Sequence, residues 1–230
     1  MEEPIMKKSK IMAVIAGLFL TCALALPVQS VSAADLYANY GELSAVKVQG
    51  TDYKIASRNT TSDLAIVAIH GGMIEPGTSE LADAIAGSNY KFYGFYGIMK
   101  SDNFSLHITS TNFDEPIARS LVQSSKKTLS VHGYSSSEKL TYVSGLDTTM
   151  VNKVKESLTA AGYQVADPPG YLAGTSQANI ANDNLNHAGV QIELSTGLRA
   201  TFFSALTSKG LQSKTPEFSK YVNAIKAGLV

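Results

Sequence analysis

The sequence has little of what marks several common classes of protein. A single cysteine, Cys22, occurs in 230 residues, which excludes a scaffold held together by disulfide bonds. Neither sign of charge is in excess, because 19 Lys and Arg residues balance 19 Asp and Glu residues. The chain therefore lacks the basic surplus typical of nucleic-acid-binding proteins, and we expect no nucleic-acid partner. An anionic partner must be bound by local charges.

Three sequence signatures are also missing. Neither a Gly-x-x-x-x-Gly-Lys-Ser/Thr phosphate loop nor a Gly-x-Gly-x-x-Gly dinucleotide loop follows a strand-like segment. The segment His70-Gly71-Gly72 is similar to the oxyanion loop of esterases, but the Gly-x-Ser-x-Gly elbow that carries their nucleophile does not occur. Serine-type hydrolysis is therefore a poor fit.

The N-terminal region has the pattern of a secretory signal. Lysines at positions 7, 8 and 10 precede an apolar run over residues 11–26, which Pro27 ends and small residues at 31–34 follow. A run of 16 residues is shorter than the ~20 that a membrane span needs. We predict a signal peptide over residues 1–34, with an uncleaved anchor as the alternative. The mature chain would then have no cysteine, which suits a secreted, extracellular protein without stable membrane association.

Residues 35–230 contain no repeat, low-complexity block or linker, so we predict one domain there. Strand-like and helix-like segments alternate along it, which predicts an α/β fold: a single domain with a mixed, mostly parallel sheet flanked by helices. The predicted strands cover residues 64–69, 105–109, 128–131, 163–165 and 189–194, and the predicted helices begin at Thr78 or Ser79, Asp114, Asp147 or Thr148, and Thr215.

Polar residues follow two of the apolar strands. His70 and His132 each end a strand and precede a glycine, and Glu75 follows His70 after a glycine turn. Ligands of open α/β sheets bind at the carboxyl ends of the strands. Two histidines and one carboxylate are a donor set of catalytic zinc sites, which keep one position open for water. We therefore predict His70, Glu75 and His132 as zinc ligands, although cobalt and nickel use the same donors.

Three further residues are candidates for the chemistry. Glu193 interrupts an apolar strand, where burial of a carboxylate is costly unless it is paired, lies near a metal or acts on a water. We assign Glu193 as the general base that deprotonates zinc-bound water and then protonates the leaving nitrogen. Arg199 could clamp a substrate carboxylate or form a structural ion pair. His107, inside a strand-like segment, is interpreted from its surroundings alone as a hydrogen-bonded core histidine.

Taken together, four motifs resemble the poly-γ-glutamate hydrolase family. They are His70-Gly-Gly-Met-Ile-Glu75-Pro-Gly-Thr-Ser-Glu80, Leu106-His-Ile-Thr-Ser-Thr-Asn-Phe-Asp-Glu-Pro116, Val131-His132-Gly133 and Gly189-Val-Gln-Ile-Glu193-Leu-Ser195. The resemblance implies a fold like that of the zinc carboxypeptidases, one zinc ion held by His70, Glu75 and His132, and Glu193 as the catalytic carboxylate. It also places His107 near the site, where we predict that it binds substrate together with Arg199. Four residues separate His70 from Glu75, whereas the His-x-x-Glu motif of carboxypeptidases has two.

The function implied by the resemblance is a secreted, zinc-dependent hydrolase that cleaves γ-glutamyl amide bonds of poly-γ-glutamate, with zinc-activated water as the nucleophile. We expect a monomer whose partner is this anionic polymer. Two alternatives stay open: a zinc amidase or carboxypeptidase that acts on cell-wall peptides, and a catalytically inactive secreted binding module. The cations considered for binding the polymer are Lys100, Lys126, Lys127, Lys139 and Arg199.

Overall fold

In a computed structural model of the chain, a seven-stranded sheet forms the centre of residues 35–230, which together with Met1 are the residues that the structure describes. Apart from Met1, the predicted signal peptide over residues 1–34, with Cys22, lies outside the described residues. The strands are β1 (Tyr53–Arg58), β2 (Leu64–Gly72), β3 (Lys91–Gly97), β4 (Lys127–Tyr134), β5 (Leu140–Gly145), β6 (Gln164–Ala166) and β7 (Val190–Ser195). Their order across the sheet is β1-β3-β2-β4-β7-β5-β6. Only the β1–β3 and β5–β7 pairs of this sheet are antiparallel, so the predicted mixed, mostly parallel α/β fold is confirmed.

Helices cover both faces of the sheet. They are α1 (Tyr40–Val46), α2 (Thr78–Ala86), α3 (Pro116–Gln123), α4 (Thr148–Ala160), α5 (Thr196–Arg199) and α6 (Pro216–Gly228). The predicted starts of α2, α4 and α6 agree with the structure, and the Asp147 carboxylate caps α4 by accepting from the Met150 N–H. The prediction that the third helix, α3, begins with Asp114 as its cap was wrong. Glu115 caps α3 by accepting from the Ala118 N–H, while Asp114 accepts from the Tyr40 N–H.

The side chains of the sheet separate into two buried clusters, one on each face. The first includes Ile66, Leu129 and Ile192 and packs against α2, α4 and α6. The second includes Val67, Tyr93 and Phe95 and packs against α1 and α3. Strand β2 is buried on both faces, which explains why its continuous apolar run predicted a central strand.

The structure corrects the prediction of a strand over residues 105–109. A 3-10 helix occupies Asn103–Leu106 and ends at His107. The side chain of Asn103 bonds to both backbone groups of Met99 and closes this turn locally, while β3 already pairs with β1 and β2 along its two edges. Strand β3, which precedes residues 105–109 in the chain, therefore has no free edge for them, and His107 lies in an irregular segment.

Ala34–Val230 form one compact unit. Within residues 35–230, no helix has both the length and the apolar character that crossing a membrane requires.

Candidate active site

His70, near the end of β2, and Glu75, in the turn that follows this strand, are the first two site residues. Ala68 pairs with Gly94 and Gly71 with Tyr96, so β2 contains one residue more than β3 between these pairs, which is a β-bulge at His70. The Glu75 N–H donates to the His70 carbonyl over 2.9 Å and closes the following turn. At Gly72, φ is +64° and a Cβ atom would lie 2.4 Å from the Gly97 carbonyl oxygen, so the turn requires glycine there.

His70 presents one particular nitrogen to the site. Its Nε2 lies 2.8 Å from the Ile108 carbonyl oxygen, which only accepts, so Nε2 carries the proton and Nδ1 faces inward. Nδ1 lies 3.0 Å from Glu75 Oε1 and 3.1 Å from His132 Nδ1. All three residues are at least nine-tenths buried. Lone pairs that face each other at these distances need a proton or a cation between them.

Two more imidazoles line the same pocket. His132, on β4, places Nδ1 3.8 Å from Glu75 Oε2. His107 places Nε2 3.9 Å from Glu75 Oε1, and donor atoms of His70, Glu75 and His107 all lie within 4.8 Å of one another. The structure therefore brings the predicted set of His70, Glu75 and His132 together and adds His107, which its surroundings alone placed in the core and the family resemblance placed near the site.

The ionisation states in this pocket suit a divalent cation. Burial opposes ionisation of Glu75, but the charge of His70 and its hydrogen bond outweigh it and hold the pKa of Glu75 below its usual range. Burial and the charge of His70 lower the pKa of His132 to about 3 and that of His107 to about 4. Burial opposes protonation of His70, but the charge of Glu75 and its hydrogen bond outweigh it and raise the pKa of His70. The site therefore offers an ionised carboxylate and two neutral imidazoles, and a divalent cation would replace the proton between His70 and Glu75, which gives the donor set that zinc prefers in catalytic sites.

The ring geometry distinguishes the two additional histidines. The His132 ring stands at 74° to the His70 ring, and their Nδ1 atoms approach each other edge to edge. The His107 ring stacks on the His70 ring, with centroids 3.9 Å apart and planes at 32°. A metal lies in the plane of each imidazole that binds it, about 2.0–2.1 Å from the nitrogen. Stacked rings meet this condition poorly, so the geometry favours His132 over His107 as the ligand that joins His70 and Glu75.

Glu193 lies beside His132. The two residues are register partners in β7 and β4, so their side chains share one face of the sheet. Burial, and then repulsion by Glu75, raise the pKa of the Glu193 carboxyl well above its usual value. Gln191 donates to Glu193 Oε1 over 2.9 Å, and Asn179 donates to the Gln191 amide oxygen over 2.9 Å. This chain of hydrogen bonds fixes the orientation of a carboxyl that can carry a proton near neutral pH.

The Arg199 guanidinium is buried beneath the site. It donates to the carbonyl oxygens of Leu194, Pro76 and Tyr134 and to the Thr196 hydroxyl. It packs across Gly133, where a Cβ atom would lie 2.6 Å from the guanidinium carbon. In residues 35–230, Arg199 takes part in no ion pair shorter than 4.0 Å. Most of its donors thus bind backbone, and its predicted contact with substrate stays a prediction.

Comparison with known proteins identifies the family. Residues 37–224 match the model of the poly-γ-glutamate hydrolase family. The chain belongs to this family.

Relatives and solved structures agree with this membership. YoqZ, an SPbeta prophage-derived protein of Bacillus subtilis strain 168, is 42% identical over 183 residues, which cover 79% of this chain and 66% of YoqZ, so the match spans just under two thirds of that relative. YndL of the same strain is 37% identical over 80% of this chain and 73% of its own length. A structure of bacteriophage poly-γ-glutamate hydrolase superposes with a TM-score of 0.83 at 31% identity, over 85% of this chain and 97% of that one. A zinc-free apo structure of YndL superposes with a TM-score of 0.82 at 33% identity, over 85% of this chain and 98% of that one.

The sequence analysis missed several residues around the site. Gln191 and Ser195 share a face of β7 with Glu193, and Val190, Ile192 and Leu194 belong to the core on the other face. The signal was the strict alternation in Val-Gln-Ile-Glu-Leu-Ser, which our interpretation of an apolar strand interrupted once by Glu193 overlooked. Asp35, which contacts His107, has no signal of this kind.

Proposed function

We propose that this protein is a zinc-dependent hydrolase that cleaves γ-glutamyl amide bonds of poly-γ-glutamate. The observation that carries the proposal is the buried convergence of His70, Glu75 and His132 next to Glu193, at the carboxyl ends of neighbouring strands. Family membership supports the hydrolase class. It also supports the polymer as substrate, because a solved relative is a bacteriophage poly-γ-glutamate hydrolase.

We assign His70, Glu75 and His132 as the residues that hold one zinc ion, since their donor atoms meet within one buried pocket. Zinc, when bound, polarises the scissile carbonyl and makes water more acidic. His107 faces the same pocket with Nε2 and forms the wall on the substrate side.

Glu193 moves the protons of the reaction. As water adds to the amide carbon, one of its protons passes to a Glu193 carboxylate oxygen, and the same proton then passes to the leaving nitrogen as the C–N bond breaks. Burial and repulsion by Glu75 raise the pKa of Glu193 in the metal-free protein and favour its protonated form, which suits the second transfer. The positive charge of a bound zinc ion would favour the ionised carboxylate that the first transfer needs. Gln191 keeps Glu193 Oε1 in place through both transfers.

A groove beside the site offers the cations that a polyanion needs. It has a volume of about 600 Å³ and begins at Gly72 and Met73, in the turn that joins His70 to Glu75. Lys54 and Lys214 line it, and each holds its ammonium group over an aromatic ring. Glu80 lies in the same groove, so the local charge is one net positive. We propose that these two lysines bind α-carboxylates of the polymer away from the bond that is cleaved.

Two of the cations considered for binding the polymer, Lys126 and Lys127, lie at the opposite end of β4 from the site. Lys127 begins β4, at the end of the strand opposite to His132, and Lys126 pairs with Asp63 there.

We also propose that the enzyme acts outside the cell, on the basis of the signal-like pattern before residue 35. Secretion, cleavage after residue 34 and a monomeric state stay predictions.

The first experiment measures zinc content together with the length of the polymer. The purified protein should contain one zinc per chain and should shorten poly-γ-glutamate, and a chelator should stop the shortening. Glu193→Gln should keep the zinc and lose cleavage, whereas His70→Ala should lose both. A Glu193→Gln protein that still cleaves would contradict the role of Glu193. A protein that contains zinc but does not shorten the polymer would favour cell-wall peptides as the substrate. A protein that neither contains zinc nor cleaves the polymer would favour a binding module.

A further inference from the structure

The carboxylate of Asp35 contacts His107 on the side of the ring away from Glu75. Asp35 Oδ1 lies 2.6 Å from His107 Nδ1, and Asp35 Oδ2 accepts from the Thr109 N–H over 2.6 Å. The Asp35 and His107 side chains are 13% and 16% exposed. No sequence motif of the site includes Asp35, which lies 72 residues before His107.

We infer that Asp35 is a positioning residue that holds the His107 imidazole in the Nδ1–H tautomer, so that the lone pair of Nε2 faces the pocket. An ionised carboxylate only accepts hydrogen bonds, so a contact of 2.6 Å requires the proton on Nδ1. Nε2 is then left as an acceptor, on the side of Glu75 and 3.9 Å from its Oε1.

The rest of the surroundings fix the plane of the ring but not its tautomer. Phe104 stacks on the His107 ring, with centroids 5.1 Å apart, and the His70 ring packs against it at 3.9 Å with a tilt of 32°. Flat contacts of this kind hold the ring in its plane and do not distinguish the two nitrogens. The choice between them therefore depends on the polar partner, which is Asp35.

The same short segment orients both stacked histidines. The Ile108 carbonyl accepts from His70 Nε2, and Asp35 holds the residues on both sides of Ile108, His107 by its side chain and Thr109 by its backbone. Asp35 thus also steadies the carbonyl that sets the His70 tautomer. Carboxylates behind metal-bound histidines fix ring orientation in this way, and their loss typically costs 10–100-fold in activity or metal affinity. We expect a loss of activity of this order for the Asp35–His107 pair.

The consequence for catalysis rests on the proposed function, but the tautomer does not. With His70, Glu75 and His132 holding zinc, the His107 Nε2 acceptor is available to a substrate N–H beside the scissile bond. An asparagine at position 35 would offer its amide N–H₂ to Nδ1 and favour the opposite tautomer, with the proton on Nε2. That proton would remove the acceptor from the pocket.

The test is nitrogen NMR of the histidine side chains in the metal-free protein. In the wild type, His107 should show a protonated Nδ1 and an unprotonated Nε2, and Asp35→Asn should exchange the two. In the zinc-loaded enzyme, Asp35→Asn should keep its zinc and lower kcat/KM on poly-γ-glutamate by about 10–100-fold. Asp35→Glu, which keeps the carboxylate, should retain the wild-type tautomer.

Asp114→Asn is the matched control, because Asp114 also binds the N-terminal part of the domain, through the Tyr40 N–H, without touching the site. It should leave the His107 signals unchanged. An unchanged His107 tautomer in Asp35→Asn, or the same exchange in Asp114→Asn, would overturn the inference. If the tautomer exchanges as expected but the wild type does not cleave the polymer, the proposed function fails and the positioning role of Asp35 stands.

Discussion

Glu193 combines a chemical role with a cost in stability. Its carboxyl is buried beside Glu75, and both effects raise its pKa. Between the pKa of Glu in the unfolded chain and the raised value in the folded protein, the folded state holds a proton that the unfolded state does not. Stability therefore falls as pH rises through this window. The residue that makes the site reactive thus weakens the fold at neutral pH.

We predict that Glu193→Gln stabilises the metal-free protein, because glutamine fills the same space without a charge to bury. The gain in thermal midpoint should be small near pH 4.5 and should reach a few degrees by pH 7.5, since about 1 kcal/mol corresponds to ~2–4 °C for a domain of this size. Thermal unfolding of both proteins across this pH range measures it. A gain that is the same at all pH values would show that burial of the charge is not its cause.

We predict that replacing His132 and replacing His107 have different effects on zinc affinity. Because the His132 ring meets His70 edge to edge and the His107 ring stacks on it, His132→Ala should lower zinc affinity by several orders of magnitude. His107→Ala should lower it by less than about tenfold and should mainly impair turnover. Competition with a chromogenic chelator measures both affinities. The reverse order would make His107 the third ligand and His132 a residue of the wall.

At the scale of elements, the site depends on how closely β2, β4 and α5 approach one another. The Gly133 N–H donates to Glu75 Oε2 over 2.8 Å, and the Arg199 guanidinium covers the Gly133 Cα. Strand β4 therefore orients Glu75, a predicted zinc ligand in the turn after β2, through its backbone, while an arginine from α5 fills the space that a side chain would occupy. His-Gly at the end of β4 is in this way a requirement of packing as well as a motif.

We predict that Gly133→Ala disturbs the metal site without unfolding the protein. The added methyl group would lie 2.6 Å from the guanidinium carbon. Because four hydrogen bonds hold the guanidinium in place, we expect the Gly133 backbone to shift and its hydrogen bond to Glu75 to lengthen. Overpacking of this kind typically costs about 1–3 kcal/mol, and zinc affinity should fall with it. Gly170→Ala is the control, since a Cβ atom there has no neighbour within 4 Å. Zinc affinity that stays at the wild-type value in Gly133→Ala would refute the coupling.

The elements also show where sequence patterns are informative. The continuous apolar run of β2 and the apolar residues that recur in β4 and β7 predicted strands of the sheet, because burial on one or both faces leaves a local signature. The segment over residues 105–109 had a similar pattern, but β3, the strand that precedes it in the chain, is paired along both edges, and the segment forms an irregular connection instead. Whether a short apolar segment becomes a strand depends on a partner, and the sequence around His107 does not contain that partner.

For the whole molecule, the site residues that could be predicted are those at strand ends, where fold topology alone brings them together. His70, Glu75, His132 and Glu193 are of this kind. Asp35, Lys54 and Lys214 reach the site region from distant parts of the chain, through packing that no local pattern encodes. The cations near the substrate could therefore not be selected from the sequence, and two of those considered, Lys126 and Lys127, lie at the opposite end of β4. The need for local positive charge was nevertheless clear from the net charge of zero.

This charge balance leads to the last prediction, which concerns how the molecule binds a polyanion. With no overall field to attract the polymer, binding should depend on the groove of Lys54 and Lys214. Replacing both by glutamine should raise KM for poly-γ-glutamate by about three- to tenfold at low ionic strength, and should flatten the rise of KM with salt. The control replaces Lys126 and Lys127, which removes the same charge at the opposite end of β4. If both pairs raise KM equally, the effect is one of net charge, and the groove is not where the polymer binds.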